Sequence, residues 1–185
     1  MSTPAPDPGR WLAERALAGD ASAFDDLARM FGDRVYRMGI VLLGRREEAK
    51  DLAQEVFLRA FKALPAWKPA AAFSTWLYGI ALNVAREFRR RAGREVSEGE
   101  DAPETAAPEG IGAAERMGVL EAVARLPDRQ REVVALRYFR GLSTEEAAGA
   151  LGVPEGTVKS NLFKAMENLR RILGEPPGGG SPFTS

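Results

Sequence analysis

The sequence predicts an all-α protein of two small helical domains joined by a flexible acidic linker. Three observations carry that prediction. Apolar residues recur every three or four positions through residues 11–92 and again through 116–173, which is the period of amphipathic helices. Between these blocks, residues 93–115 are rich in Gly, Ala, Pro and Glu and have no apolar period, the composition of a solvated linker. Residues 141–173 carry the punctuation of a helix-turn-helix. Residues 1–10 and 174–185, rich in Pro and Gly, are expected to be disordered ends.

In the first block, residues 11–18 form a short amphipathic helix. Asp20 then caps a longer one, whose Phe24, Leu27, Ala28, Phe31, Val35, Met38 and Leu42 make one stripe before Gly44 ends it. The next helix, about residues 47–64, buries Ala49, Leu52, Ala53, Val56, Ala60 and Leu64, flanked by Phe57 and Phe61. Wound at about 100° per residue, its other face gathers Asp51, Gln54, Glu55, Leu58 and Lys62. A leucine set among carboxylates and an amide is a candidate docking patch for another protein, although one exposed leucine alone needs no explanation.

Pro65 and Pro69 break that helix, and a loop carrying Trp67 leads through Phe73 into a helix with Trp76 near its start. The new helix buries Leu77, Ile80, Ala81, Val84 and Phe88 and aligns Leu82, Asn83, Arg86, Arg89 and Arg90 on the other side. Cations for phosphates beside rings for unstacked bases are what a single strand of DNA requires. By position alone Trp76 reads as core, whereas Asn83 and the arginines read as the DNA-facing groups.

The second block begins near residue 115, breaks at Leu126-Pro127-Asp128 and continues as a helix to about Tyr138; Val133, Val134, Leu136 and Phe139 supply its core. Ser143 and Glu146 form a capping box, Gly152 gives the left-handed turn, and Pro154 suits the start of the second helix. From Val158 onward Leu162, Ala165, Met166, Leu169 and Ile172 keep helical spacing. The opposite face carries Gly156, Thr157, Ser160, Phe163, Lys164 and Arg171, with Lys159 at its margin, and is the face for a DNA major groove.

Composition narrows the function classes. With no Cys and no His, thiolate and imidazole catalysis and ordinary structural zinc sites are excluded, and no cofactor is expected. The scattered Asp25, Asp26 and Asp51 do not make the carboxylate cluster a metal-dependent nucleic-acid enzyme needs. The opening residues have neither a basic region nor an apolar run, and no stretch is long enough for a membrane span, so neither a secretory leader nor membrane insertion is expected. A formal charge of zero hides two mildly basic blocks around the acidic residues 95–115, which hold seven carboxylates and no base.

Several motifs, in order, resemble those of a bacterial extracytoplasmic function (ECF) sigma factor of the sigma-70 family. They are Asp51-Leu-Ala-Gln54-Glu55-Val-Phe57-Leu-Arg-Ala60-Phe61, then Phe73-Ser-Thr-Trp76-Leu77-Tyr-Gly-Ile80-Ala81-Leu-Asn83, and later Leu126-Pro127-Asp-Arg-Gln-Arg131-Glu132-Val with Gly156-Thr157-Val158-Lys159-Ser160. The resemblance spans about residues 12–173. It implies sigma region 2 over 11–92, a linker over 93–115 and sigma region 4 over 116–173, in a cytoplasmic, non-enzymatic subunit that directs promoter recognition and melting. The implied partners are the clamp helices and flap of RNA polymerase core, promoter DNA both duplex and melted, and an anti-sigma factor. Asp51, Gln54, Glu55 and Leu58 fall in the core-binding segment. Phe73, Trp76, Asn83, Arg86 and Arg90 fall in the segments for the minus-ten element. Thr157, Lys159, Ser160, Phe163 and Lys164 fall on the helix for the minus-thirty-five element. Two departures are visible: Asn161 and Met166 stand where arginines are usual, and Ala71-Ala72 precede Phe73 where polar or basic residues are common. The alternative reading is a stand-alone helix-turn-helix regulator, which needs neither the Leu58 patch nor the aromatic and basic helix.

Overall fold

Local signals place most of the helices. The structure, a computed structural model, describes residue 7 and residues 9–95 and 113–174. Residues 1–6, 8 and 175–185 of the expected disordered ends, and most of the expected linker, residues 96–112, lie outside the described residues; the end of the first stretch departs from expectation, since Arg10 opens a helix and Asp7 and Gly9 make defined contacts. Helices α1 (Arg10–Leu17), α2 (Ala21–Leu43), α3 (Arg46–Ala63) and α4 (Phe73–Glu95) form the first block. The Asp20 carboxylate accepts from the Ser22 and Ala23 amides at 3.0 and 3.3 Å, and Gly44 closes α2 with φ of 77°. A 3-10 turn, Leu64–Ala66, ends α3 at Pro65.

The first block buries Leu27, Phe31, Val35, Met38 and Leu42 of α2, Leu52, Val56 and Ala60 of α3, and Leu77, Ala81 and Val84 of α4. These are the stripes read from the sequence. Helices α2 and α3 approach closely at Gly39, where a Cβ would lie 3.1 Å from the Ala49 Cα. The start of α4 is tied to the beginning of the chain, since the Asp7 carboxylate accepts from the Phe73 amide at 2.6 Å and from the Gly9 amide at 3.2 Å.

In the second block, α5 (Ala113–Ala124) and α6 (Asp128–Val134) precede the helix-turn-helix pair α7 (Thr144–Leu151) and α8 (Glu155–Leu173). The helix expected to run to Tyr138 changes after Val134 into a π-turn, Ala135–Phe139. Such a turn accommodates one more residue than an α-turn, and here it precedes the bond from the Leu142 amide to the Leu136 carbonyl at 3.1 Å. Leu126, Val133, Leu136, Val158, Ala165 and Leu169 make this block's core.

The two blocks are not merely tethered. Helix α4 packs on α7, α2 touches α5 and α6, and the buried side chains of both blocks join in one apolar cluster. Leu82, expected on the open side of α4, is buried beside Tyr78 and Ala85. The reason is tertiary: the side of α4 away from its own block is covered by the second block.

A pair of glycines in α2 tests the close approach. Replacing Gly32, which has nothing within 4 Å of a built Cβ, with Ala should stabilise the protein by up to about 1 kcal/mol through helix propensity. Gly39→Ala gains the same propensity but meets Ala49 backbone, and overpacking of about 1–3 kcal/mol outweighs the gain. Urea denaturation of both variants should therefore move in opposite directions.

Candidate nucleic-acid and polymerase interface

In α7 and α8 the local geometry is that of a helix-turn-helix. The Ser143 hydroxyl accepts from the Glu146 amide at 3.1 Å, while the Glu146 carboxylate accepts from the Ser143 amide at 2.7 Å. Gly152 turns the chain in the left-handed region at φ of 67°, and the Val153 amide returns to the Ala148 carbonyl at 3.1 Å. Val158 is fully buried and fixes the start of α8 against the pair. Thr157, Lys159, Ser160, Phe163 and Lys164 are all exposed, so one face of α8 presents them together. Phe163 is 65% exposed, a ring held out among hydroxyls and amines. Such a surface has donors for phosphates and base edges, and an apolar edge for a thymine methyl. Lys159 already has a partner, Glu155, at 3.5 Å.

The predicted patch on α3 is present and larger than expected. Asp51, Gln54 and Leu58 are exposed, Leu58 by 58%. Glu55 is engaged: it accepts from Arg59 at 2.6 Å, and Arg59 also reaches both Glu87 oxygens at 2.6 and 2.8 Å. Beside Leu58 lies an open groove of about 560 Å³ between α2 and α3, lined by Phe24, Asp25, Gln54, Phe57, Leu58 and Phe61. Phe24 and Phe61 meet edge to face at 5.0 Å, yet Phe61 is 60% exposed. Sequence reasoning gave Phe24 to the core and left Phe61 as a flank. The signal for the groove was there in the aromatic flank of the α3 stripe.

Around α4 the placements differ from expectation. Phe73, expected on the DNA-facing surface, is fully buried and packs on Phe31, Trp67 and Trp76 at centroid distances of 5.5, 5.9 and 5.5 Å. Gly9 permits this, because a Cβ there would lie 2.8 Å from the Phe31 ring and 2.9 Å from that of Phe73. Trp76 is half-buried, and Asn83 and Arg90 are exposed. Asn83, Arg86, Arg90, Arg59 and Glu87 line an open hollow of about 550 Å³.

Arg86 is the second departure, since its guanidinium is not free. It donates to both oxygens of Glu132, on α6 of the other block, at 2.8 Å each, and to the Asn83 side chain at 3.1 Å. Arg89 adds a bond to the same carboxylate at 2.8 Å, and Arg129 one at 3.3 Å. Glu132 is 1% exposed. Burial pushes its carboxyl up, but the bonds from Arg86 and the charges of Arg86, Arg89 and Arg129 prevail and hold it below the usual carboxylate range. Its contribution to stability is therefore present above that range and is lost as the pH falls through the lowered value. The sequence placed Glu132 in a motif of the second block but gave no sign of its contact with the first, because Arg86 and Arg89 lie more than forty residues away.

Comparison with known proteins bears on both blocks. The family model for Sigma-70 region 2 matches residues 27–95, and that for Sigma-70, region 4, matches residues 116–169. The RNA polymerase sigma-H factor of Pseudomonas aeruginosa is 33% identical over 177 residues, covering 88% of this chain and 92% of its own. The ECF RNA polymerase sigma factor SigW of Bacillus subtilis is 33% identical over 173 residues, covering 84% and 91%. The chain belongs to the ECF sigma factors. Among solved structures it is similar to the sigma factor RpoE of Bartonella quintana, determined in complex with the anti-sigma factor NepR, at 25% identity and a TM-score of 0.70 over 82% of this chain and 96% of that one. As a sigma factor the protein binds RNA polymerase core and directs promoter recognition for transcription initiation. The helix-turn-helix lies in its region 4, and α2, α3 and α4 lie in its region 2.

The capping box gives region 4 a specific weak point. Ser143→Ala removes the acceptor for the Glu146 amide and should cost about 1 kcal/mol, read as a lower urea midpoint. Ser143→Asp, which keeps an acceptor at the cap, should recover most of that loss.

Proposed function

We propose that this ECF sigma factor grips polymerase core through the α3 surface of Asp51, Gln54 and Leu58 and the aromatic groove beside it. The observation that carries the proposal is an apolar ridge and groove, Leu58 with Phe24 and Phe61, left open on a domain whose other stripes are buried. Exposed apolar surface rimmed by polar groups is what a protein partner covers. Glu55 acts there indirectly, by holding Arg59 in place.

Asn83, Arg86 and Arg90, with Trp76 at the edge, meet the melted minus-ten strand, while Phe73 supports that surface from inside. Thr157, Lys159, Ser160, Phe163 and Lys164 enter the major groove at the minus-thirty-five element. The factor is a non-catalytic subunit working in the cytoplasm, where its polymerase is, and an anti-sigma factor holds it in reserve, by analogy with the RpoE and NepR pair. None of its helices among the described residues is long and apolar enough to cross a membrane.

Two measurements test the assignment. Leu58→Asp should weaken binding to core polymerase by about tenfold or more while leaving the unfolding free energy from urea denaturation within about 0.5 kcal/mol of the parent. Normal core binding by that variant overturns the α3 assignment. Lys164→Ala should weaken holoenzyme binding to every promoter and lower the slope of log affinity against log salt by about one, as loss of one phosphate contact requires. Lys159 and Ser160 substitutions should instead change the preferred minus-thirty-five sequence in a selection from randomised promoters.

A further inference from the structure

Arg59 joins the two surfaces assigned above to polymerase and to the melted strand. It follows Leu58 on α3, and its guanidinium reaches across to α4. There its two terminal nitrogens donate to the Glu87 carboxylate at 2.6 and 2.8 Å, while its Nε donates to Glu55 at 2.6 Å. Glu87 is the one carboxylate lining the hollow it shares with Arg59, Asn83, Arg86 and Arg90. A negative charge in that place works against the binding of a polyanion.

Helix spacing offers Glu87 two other cations, Arg90 three residues on and Arg91 four, the positions at which opposite charges meet on a helix surface. On α2 and α3 such pairs close: Asp26 with Arg29 at 2.6 Å, Asp33 with Arg37 at 2.8 Å and Glu47 with Lys50 at 2.9 Å. On α4, among the described residues, Glu87 pairs across to Arg59 instead. Arg91 lies over the Phe88 ring, 6.0 Å from its centroid, and Arg90 is exposed. The difference is that both Glu87 oxygens are taken by the planar fork of Arg59, the geometry in which guanidinium and carboxylate match best. The bonds from Arg59 hold the Glu87 carboxyl below the usual carboxylate range. The charges of Arg91 and Arg90 act in the same direction, so both stand within electrostatic reach of it.

We propose that Arg59 is a positioning residue for the melted strand: by engaging Glu87 from the polymerase-binding helix, it leaves Arg90 free for a DNA phosphate and cancels the one charge in the hollow that would repel it. This rests on the reading of α4 as the strand-binding face. Without Arg59, Glu87 turns to Arg90 or Arg91 on its own helix, and a strand contact is lost although the residue that makes it is unchanged. A plain brace between α3 and α4 behaves differently, because removing either partner removes the brace.

The two roles separate in holoenzyme, at saturating core polymerase and with binding by core alone subtracted. The probe is a fluorescein-labelled random-sequence DNA single strand of about 12 nucleotides, read by anisotropy. Arg59→Gln should weaken binding about threefold or more and lower the slope of log affinity against log salt by about 0.7, the loss of one phosphate contact to a single strand. Arg90→Ala should do the same, and the double variant should lose no more than either alone. Glu87→Gln should bind at least as tightly as the parent and, added to Arg59→Gln, restore binding to within about twofold of it, as two residues acting on one contact require. Arg59→Lys, which keeps the charge and loses the fork, takes the place of Arg59→Gln if urea denaturation shows that variant unfolded, and the same outcomes decide. Unchanged binding by the Arg59 variant overturns the proposal, and so does an equal loss in Glu87→Gln, the mark of a brace. If Arg90→Ala weakens binding while the Arg59 variant does not, the strand face stands and the role of Arg59 falls. If Arg90→Ala binds as the parent does, the strand-face reading falls and the proposal with it.

Discussion

Helix α4 has more than one side to satisfy, and the architecture follows from that. Leu77, Ala81 and Val84 must be buried against α2 and α3, which fixes the first block. The opposite side carries Leu82 and the arginines, and the second block covers it with α7 and the buried carboxylate of Glu132. An arginine pair desolvated without a counter-charge would be costly, so the approach of α4 to α6 and α7 depends on that carboxylate. The orientation of the two domains is thus set by a polar contact within a mostly apolar seam.

The helices were legible where their ends are chemically marked. Asp20, Gly44, Ser143 and Gly152 act through bonds within a few residues, and each appears in the geometry as read. The α8 face was legible because its buried stripe packs within its own block, on α6, α7 and α5, and a 3.6-residue period is enough to divide inside from outside. The π-turn was not, since a one-residue insertion leaves no signature in the apolar pattern of residues 128–139.

Long-range contacts account for the remaining misreadings. Phe73 lies in a segment whose aromatics and arginines suit stacked bases, but the room for its ring is made by Gly9, over sixty residues earlier. Arg86 was expected to present a free guanidinium on a cationic face, and it is engaged instead. Its partner comes from a stretch read mainly as helix core, where Glu132 stands just before Val133 and Val134. The Phe24 and Phe61 groove was half visible: periodicity identified α2 and α3 but not the gap left between them at that end.

The Asp7 contact has a practical meaning for anyone shortening the chain. Asp7 precedes the first helix and looks dispensable, yet its carboxylate holds the first amide of α4. Gly9, two residues on, seats against the rings of Phe31 and Phe73. A truncation beginning at Arg10 would keep every described helix and still uncover the aromatic cluster at the start of α4. A packing fault at the start of α4 would then originate in residues that belong to no helix.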